Sequence, residues 1–234
     1  MYSDDHTASP FNAIPPVVIL LCLVIGGIEL VFQGAESGFV GGPEAIGWRL
    51  DAIMTFGFFD TVFAWMLETR QVPLEHLIRF LSYSFVHGSF THAAFTLVFI
   101  LAIGKMVAEA FSAFVFLLIY VVGAIVGALA YGLILETNVP LIGAYPAVYA
   151  LIGAMTFVLF LRARMTGENP LLAFRLIIAL VGIQLFFRLT FGGGNDWIAD
   201  IAGFVAGFLV TALISPDGGE GAVNVIERIR RRRD

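Results

Sequence analysis

Six apolar runs set the rhythm of the chain. They cover about residues 13–33, 85–108, 111–135, 143–163, 171–191 and 196–214. Each approaches the roughly 20 mostly apolar residues that an α-helix needs to cross a bilayer, so six membrane-spanning helices are predicted.

Residues 34–78, between the first run and the approach to the second, have a different texture. In "GWRLDAIMTFGFFDTVFAWMLETRQVPLEHLIRF", Phe56, Phe58, Phe59, Phe63, Trp65, Met66 and Leu67 are mixed with Asp51, Asp60, Glu68 and Arg70. That mixture is too polar to span a bilayer and too apolar for a free loop. Aromatic residues beside charges suit the membrane–water interface, so a large interfacial first loop is expected. A pair of short soluble helices is the alternative.

Composition agrees with the pattern. Of 234 residues, 59% are hydrophobic and 13% charged, and the mean hydropathy is +0.91. An all-α integral membrane protein is the fold class this implies. The net charge of −5 is carried by loops and ends and gives no reason to expect a nucleic-acid partner. Cys22 is the only cysteine, so no disulfide framework is possible within the chain. Residues 1–12 hold Asp4 and Asp5 and no Lys or Arg, unlike the start of a signal peptide, and the first run reads as a retained span. The expected organisation is a tail (1–12), a membrane domain (13–214) and a basic tail (215–234) ending in "ERIRRRRD". Lys105, Arg162, Arg164, Arg175 and that tail fall on one side, which places both termini in the cytoplasm of a bacterial-type inner membrane. The tail arginines also suit an anionic lipid surface.

Small residues four apart permit close backbone approach in lipid. Gly123–Gly127 in the third run and Gly203–Gly207 in the sixth have this spacing, as do Ala150–Ala154 and Gly143–Ala147 in the fourth, where Gly153 also lies. The fourth and sixth helices are therefore expected to be inner helices in contact. The polar residues of the runs are His92 (with His87 just before it), Tyr145, Gln184, Arg188 and Asp200, and Glu29 lies in the first run without an evident partner. Ionisable groups at such depth normally face the bundle interior. A catalytic site, a packing knot and a metal site are the three readings. The i,i+5 spacing of the two histidines splays them on a helix, so no metal is expected, and no cofactor motif is present.

Taken in order, these segments resemble the rhomboid family of intramembrane serine proteases over roughly residues 45–214. "HGSFTHAAFT" resembles the family's His-x4-His-x3-Asn stretch, through His87, His92 and Thr96. Arg79 matches the arginine of a Trp-Arg pair in the first loop, with Ile78 in place of Trp. "GAYPAVYALIGA" resembles the Gly-x-Ser-Gly stretch and "ADIAGFVAG" the Ala-His-x-Gly-Gly-type stretch. A six-helix rhomboid-like bundle is what the resemblance implies.

The departures fall on the chemistry. The resemblance puts the nucleophilic serine at Tyr145, the following glycine at Pro146, the histidine base at Asp200 and the oxyanion-hole asparagine at Thr96. Acyl transfer needs a serine Oγ with an imidazole in hydrogen-bond reach. A phenol on a rigid ring sits too far from the backbone and fills the space a scissile carbonyl needs. Proline suits the first turn of a helix, so Tyr145–Pro146 reads as a helix start that plugs the cavity, with the Tyr145 hydroxyl expected on Asp200 and His92 beside it. Ser82, Ser84 and Ser89 flank His87 but lack an orienting third group. The expected protein is a rhomboid pseudoprotease that binds transmembrane helices of client proteins in quality control, trafficking or assembly. Client entry is expected between the second and fifth helices, past Val98, Phe99, Phe186, Phe187 and Phe191. A serine-type endopeptidase with a non-standard site and an accessory subunit of a larger membrane complex are the alternatives.

Overall fold

The computed structural model describes residues 14–191 and 195–215, apart from the side chains of residues 187–189 and 191. The tail expected at 1–12 lies outside the described residues, as do residues 216–234 of the tail expected at 215–234 and the side chains of Phe187, Arg188 and Phe191. Among the described residues the backbone is almost entirely helical and has no strand. One isolated antiparallel bridge joins Phe58 to Leu141.

The first apolar run forms α1 (Pro16–Glu36). Pro15 and Pro16 set its start, because proline fits a helix only in the first turn. It runs three residues past the predicted end, since Gln33 and Glu36 find polar partners there. The interfacial loop folds as a 3-10 turn (Pro43–Gly47) and three short helices, α2 (Trp48–Phe56), α3 (Asp60–Thr69) and α4 (Leu74–Ser82). Phe58, Phe63 and Phe80 stack edge to face, with Phe58–Phe80 at 4.9 Å and Phe63–Phe80 at 5.6 Å. These three rings, together with Tyr131, fasten the loop helices to the bundle.

The second run starts later than predicted. Tyr83–Phe85 is a 3-10 turn, and α5 begins at Phe90 because the Ser89 Oγ accepts the His92 N–H at 3.2 Å. A π-turn (Ile100–Gly104) joins α5 (Phe90–Phe99) to α6 (Lys105–Ala110). Ser112 caps α7 (Ala113–Ile134) in the same way. Then follow α8 (Tyr145–Thr166), α9 (Arg175–Phe191) and α10 (Trp197–Ile214).

Five of these segments are long and apolar enough to cross a membrane: α1, Phe90–Ala110, α7, α8 and α10. The sixth, α9, is a shorter apolar helix behind a 3-10 turn at Pro170–Phe174. Asn169 caps that turn with its side chain, and Pro170 opens it, which keeps the first residues of the predicted fifth span out of α-helical form.

At the centre stands α8, buried along most of its length. Glycines let its neighbours reach its backbone. Gly203 and Gly207 of α10 lie against the Pro146 and Ala150 carbonyls, and Gly153 of α8 lies against the α10 backbone at Phe204. On the other side, Gly123 and Gly127 of α7 pack on Ala150 and Pro146. The three helices α7, α8 and α10 thus form a tight inner layer, held by backbone contact that any larger side chain would block.

Candidate functional site

The starts of α5, α8 and α10 meet at one end of the inner layer, and the polar residues gather there. The segment leading into α8 is pinned before the helix begins. Leu141 exchanges backbone hydrogen bonds with Phe58, at 2.8 and 3.1 Å, and the Gly143 N–H donates to the Tyr83 carbonyl at 2.9 Å. Gly143 has a φ of +87° and lies against the His92 imidazole. Glycine alone adopts this conformation without strain and leaves room for the ring.

His87 lies on the loop ahead of α5 and is 1% exposed. Its Nε2 accepts the Ala144 N–H at 3.4 Å, which requires the neutral ring with the proton on Nδ1. Burial pushes this imidazole down to about 3, and the neighbouring His92 and Arg49 act in the same direction. His92 is one turn into α5. Its ring lies 5.0 Å from that of His87 and 4.7 Å from that of Tyr145. The His92 Nε2 is buried without a hydrogen-bond partner, as is the Thr96 Oγ1 one turn further on.

Tyr145 is the first residue of α8, with Pro146 after it in the first turn. Its ring is tilted at 45° against His92. Asp200 is fully buried in the first turn of α10. Here the structure departs from the expectation that Asp200 bonds Tyr145: the Asp200 Oδ2 instead accepts the Gln184 Nε2 of α9 at 2.6 Å. The Tyr145 ring is directed toward α5 and packs against the His92 imidazole, whereas Gln184 projects from α9 onto the carboxylate. The Asp200 Oδ1 and the Gln184 Oε1 are both buried and without a partner.

None of the three nearby serines points at an imidazole. The Ser82 hydroxyl donates to the Phe56 carbonyl at 2.9 Å, and Ser84, fully buried, donates to the Leu81 carbonyl at 2.8 Å and accepts from the Tyr120 hydroxyl at 3.3 Å. Ser89 is occupied as the cap of α5. Arg79 sits apart from the site. It donates to the Met54 and Gly57 carbonyls at 3.0 Å each and lies over the Phe59 ring, so it fixes the turn between α2 and α3. Among the described residues no group of three or more His, Cys, Asp or Glu side chains converges as a metal-ligand set.

One polar cluster beside the site was missed from the sequence. Arg49 of α2 reaches back to α1, where its Nη1 and Nη2 donate to the two oxygens of Glu29 at 2.9 Å each. Its Nε donates to Glu36 at 2.6 Å, and Nη1 also donates to the His87 carbonyl at 2.8 Å. Gln33 bridges the two carboxylates. The hydrogen bonds it donates to Glu29, ahead of those to Glu36, hold the Arg49 guanidinium well above its usual pKa, against the cost of burial. Glu29, Gln33 and Glu36 recur at i, i+4 and i+7, so they form one stripe on α1; that spacing was the available signal.

A membrane-embedded helical bundle, with an interfacial loop of short helices and a polar knot where three helices begin, is the class that fold and site define. A family model described as Rhomboid domain matches residues 74–217, more than half of the chain, and the chain belongs to the rhomboid family. No curated protein matches it.

Proposed function

We propose that this rhomboid-family protein has lost peptide hydrolysis and acts by binding membrane-spanning helices of other proteins. One observation carries the reading. At the position that the resemblance gives to the nucleophile stands Tyr145, its ring packed at a tilt against His92, while the residue at the base position, Asp200, is held by Gln184. Hydrolysis needs a nucleophile, a base within about 3 Å of it, and donors for the oxyanion. Tyr145 offers a phenol whose ring packs at a tilt against imidazole. Asp200 offers a carboxylate that cannot take the place of an imidazole as both acceptor and later donor. Thr96 has a shorter reach than the asparagine it replaces.

Binding is the function the bundle keeps. The outer faces of α5 and α9 are apolar, with Val98, Ile178, Ile183 and Phe186 all exposed. Between those helices lies the side door through which a helix would reach the polar knot. The protein sits in a bacterial-type inner membrane with both termini in the cytoplasm, the arrangement favoured by Lys and Arg in the loops. Crosslinking in native membranes, followed by purification through a tag, tests the reading. Membrane proteins crosslinked through their spans are expected. Recovery of the chain alone, with proteolytic activity in the same sample, would overturn it.

A further inference from the structure

Asp60 is a buried carboxylate that its surroundings use only by half. It opens α3 and is 4% exposed. Its Oδ2 accepts the Thr137 N–H at 2.6 Å, while its Oδ1 is buried and has no partner. A carboxylate oxygen taken out of water without a partner is costly. Among the described residues neither Asp60 nor Glu136 belongs to an ion pair.

Asp60 forms part of the wall of a cavity of about 450 Å³ between α3 and the connection from α7 to α8. No Lys, Arg or His lines this cavity. What its wall offers is oxygen. Glu136 supplies a second carboxylate and Asn138 an amide oxygen. Backbone oxygen comes from the end of α7. The Leu135 N–H closes the last turn on the Tyr131 carbonyl at 3.1 Å, and the Thr137 N–H turns away to Asp60. The Leu133 carbonyl thereby loses the donor four residues on that would continue the helix. A helix C-terminus also carries partial negative charge, which favours a cation. The connection is held in place beyond the cavity, where the Tyr131 hydroxyl donates to the Val139 carbonyl at 2.8 Å and Leu141 pairs with Phe58. Ligands positioned in advance lower the cost of binding.

We propose that this cavity binds a hard divalent cation of calcium's size, held by Asp60 and Glu136, with amide, backbone and water oxygens completing the shell. It lies apart from the histidine pair. Two carboxylates are too few for a transition-metal set, and no three His, Cys, Asp or Glu side chains gather among the described residues. Calcium needs no such set, because it accepts carbonyl and water oxygens in a flexible geometry. Magnesium demands a near-ideal octahedron and keeps its waters, so it binds this wall more weakly. The bound ion clamps α3 to the connection that leads through Gly143 and Ala144 into α8. It therefore steadies the segment on which His87 and His92 rest.

The test is calcium titration of the full chain, followed by calorimetry, in a neutral detergent that brings no phosphate of its own. Saturable binding with a dissociation constant of about 10⁻⁴–10⁻³ M is expected, the range of sites with few charged ligands. Asp60→Asn keeps an oxygen for the Thr137 N–H and is expected to weaken binding by at least about tenfold. Glu136→Gln, at an exposed position, is expected to weaken it by about three- to tenfold. Asp51→Asn, on α2 outside the cavity, is expected to bind as the parent does. The parent is expected to melt higher in about 10 mM calcium than in chelator, and Asp60→Asn to lose that rise. No saturable binding by the parent would overturn the proposal, as would binding that survives both cavity variants unchanged. If Asp60→Asn does not accumulate, Glu136→Gln decides alone, and parent-like affinity there would overturn it. Magnesium bound as tightly as calcium would overturn the choice of ion.

Discussion

Arg49 and Glu29 form a two-pronged ion pair inside the protein, with both N–H···O distances at 2.9 Å and both side chains less than a tenth exposed. The pair joins the loop helix α2 to the spanning helix α1, and the same guanidinium holds the His87 carbonyl. A loop that aromatic packing alone would leave free to slide is thereby keyed to the polar knot. Removing one partner strands a buried charge. Arg49→Leu is expected to destabilise the protein by about 3–5 kcal/mol, and Arg49→Leu with Glu29→Leu to recover most of that loss. Denaturant titration in detergent micelles measures both, and a double variant no better than the single one would refute the pairing.

The inner layer gives a sharper contrast. A Cβ at Gly207 collides with the Ala150 carbonyl, whereas one at Gly182 or Gly27 meets nothing within 4 Å. Gly207→Val is expected to abolish accumulation or cost more than about 3 kcal/mol, a size reserved for core disruption. Gly182→Ala and Gly27→Ala are expected to stay within about 0.5 kcal/mol of the parent or gain slightly from helix propensity. Thermal unfolding of the three variants side by side decides it.

The sequence carries the fold well and the knot unevenly. Runs of apolar residues have only one economical outcome in lipid, so all six helices were readable, along with the short helices' mixed texture between the first two. The ends were not. Ser89 moved the start of α5, and the Arg49 cluster drew α1 onward to Glu36, because capping and ion pairing act through side chains that apolar counting ignores. Within the knot, His87 and His92 lie on one segment, whereas Ala144 at the α8 start is 57 residues from His87, and motif order alone placed it beside them. The partner of Asp200 did not follow from that order. Gln184 and Asp200 are sixteen residues apart on different helices, and only the rotation of α9 decides which of its side chains reaches the carboxylate. Arg49 and Glu29, twenty residues apart, were hidden for the same reason.

Acid is expected to loosen the His87 loop. The folded-state pKa of about 3 lies below the ordinary value of 6.5, so the unfolded chain takes up the proton first. Stability from this group is complete above about pH 6.5 and declines as pH falls toward 3. Replacing His87 with Gln, whose oxygen can still accept the Ala144 N–H, is expected to flatten that part of the profile. Melting temperatures of parent and variant between pH 4 and 7 measure the difference, and parallel curves would contradict it.

Arg79 holds two backbone carbonyls of the turn at residues 54–57. Arg79→Ala is expected to free that turn, with a local cost of about 1–3 kcal/mol for the lost charged hydrogen bonds. Limited proteolysis should then cut the α2–α3 connection sooner, while the melting of the spanning helices changes little. Unchanged proteolysis would show that the aromatic cluster suffices.

Loss of hydrolysis is tested most directly by incubating the purified protein, in lipid vesicles, with a membrane-spanning peptide that contains a helix-breaking segment. No cleavage is expected, because Tyr145 and Asp200 provide neither an activated oxygen nor an imidazole to relay its proton. Cleavage that disappears on Ser82→Ala, Ser84→Ala or Ser89→Ala would contradict it.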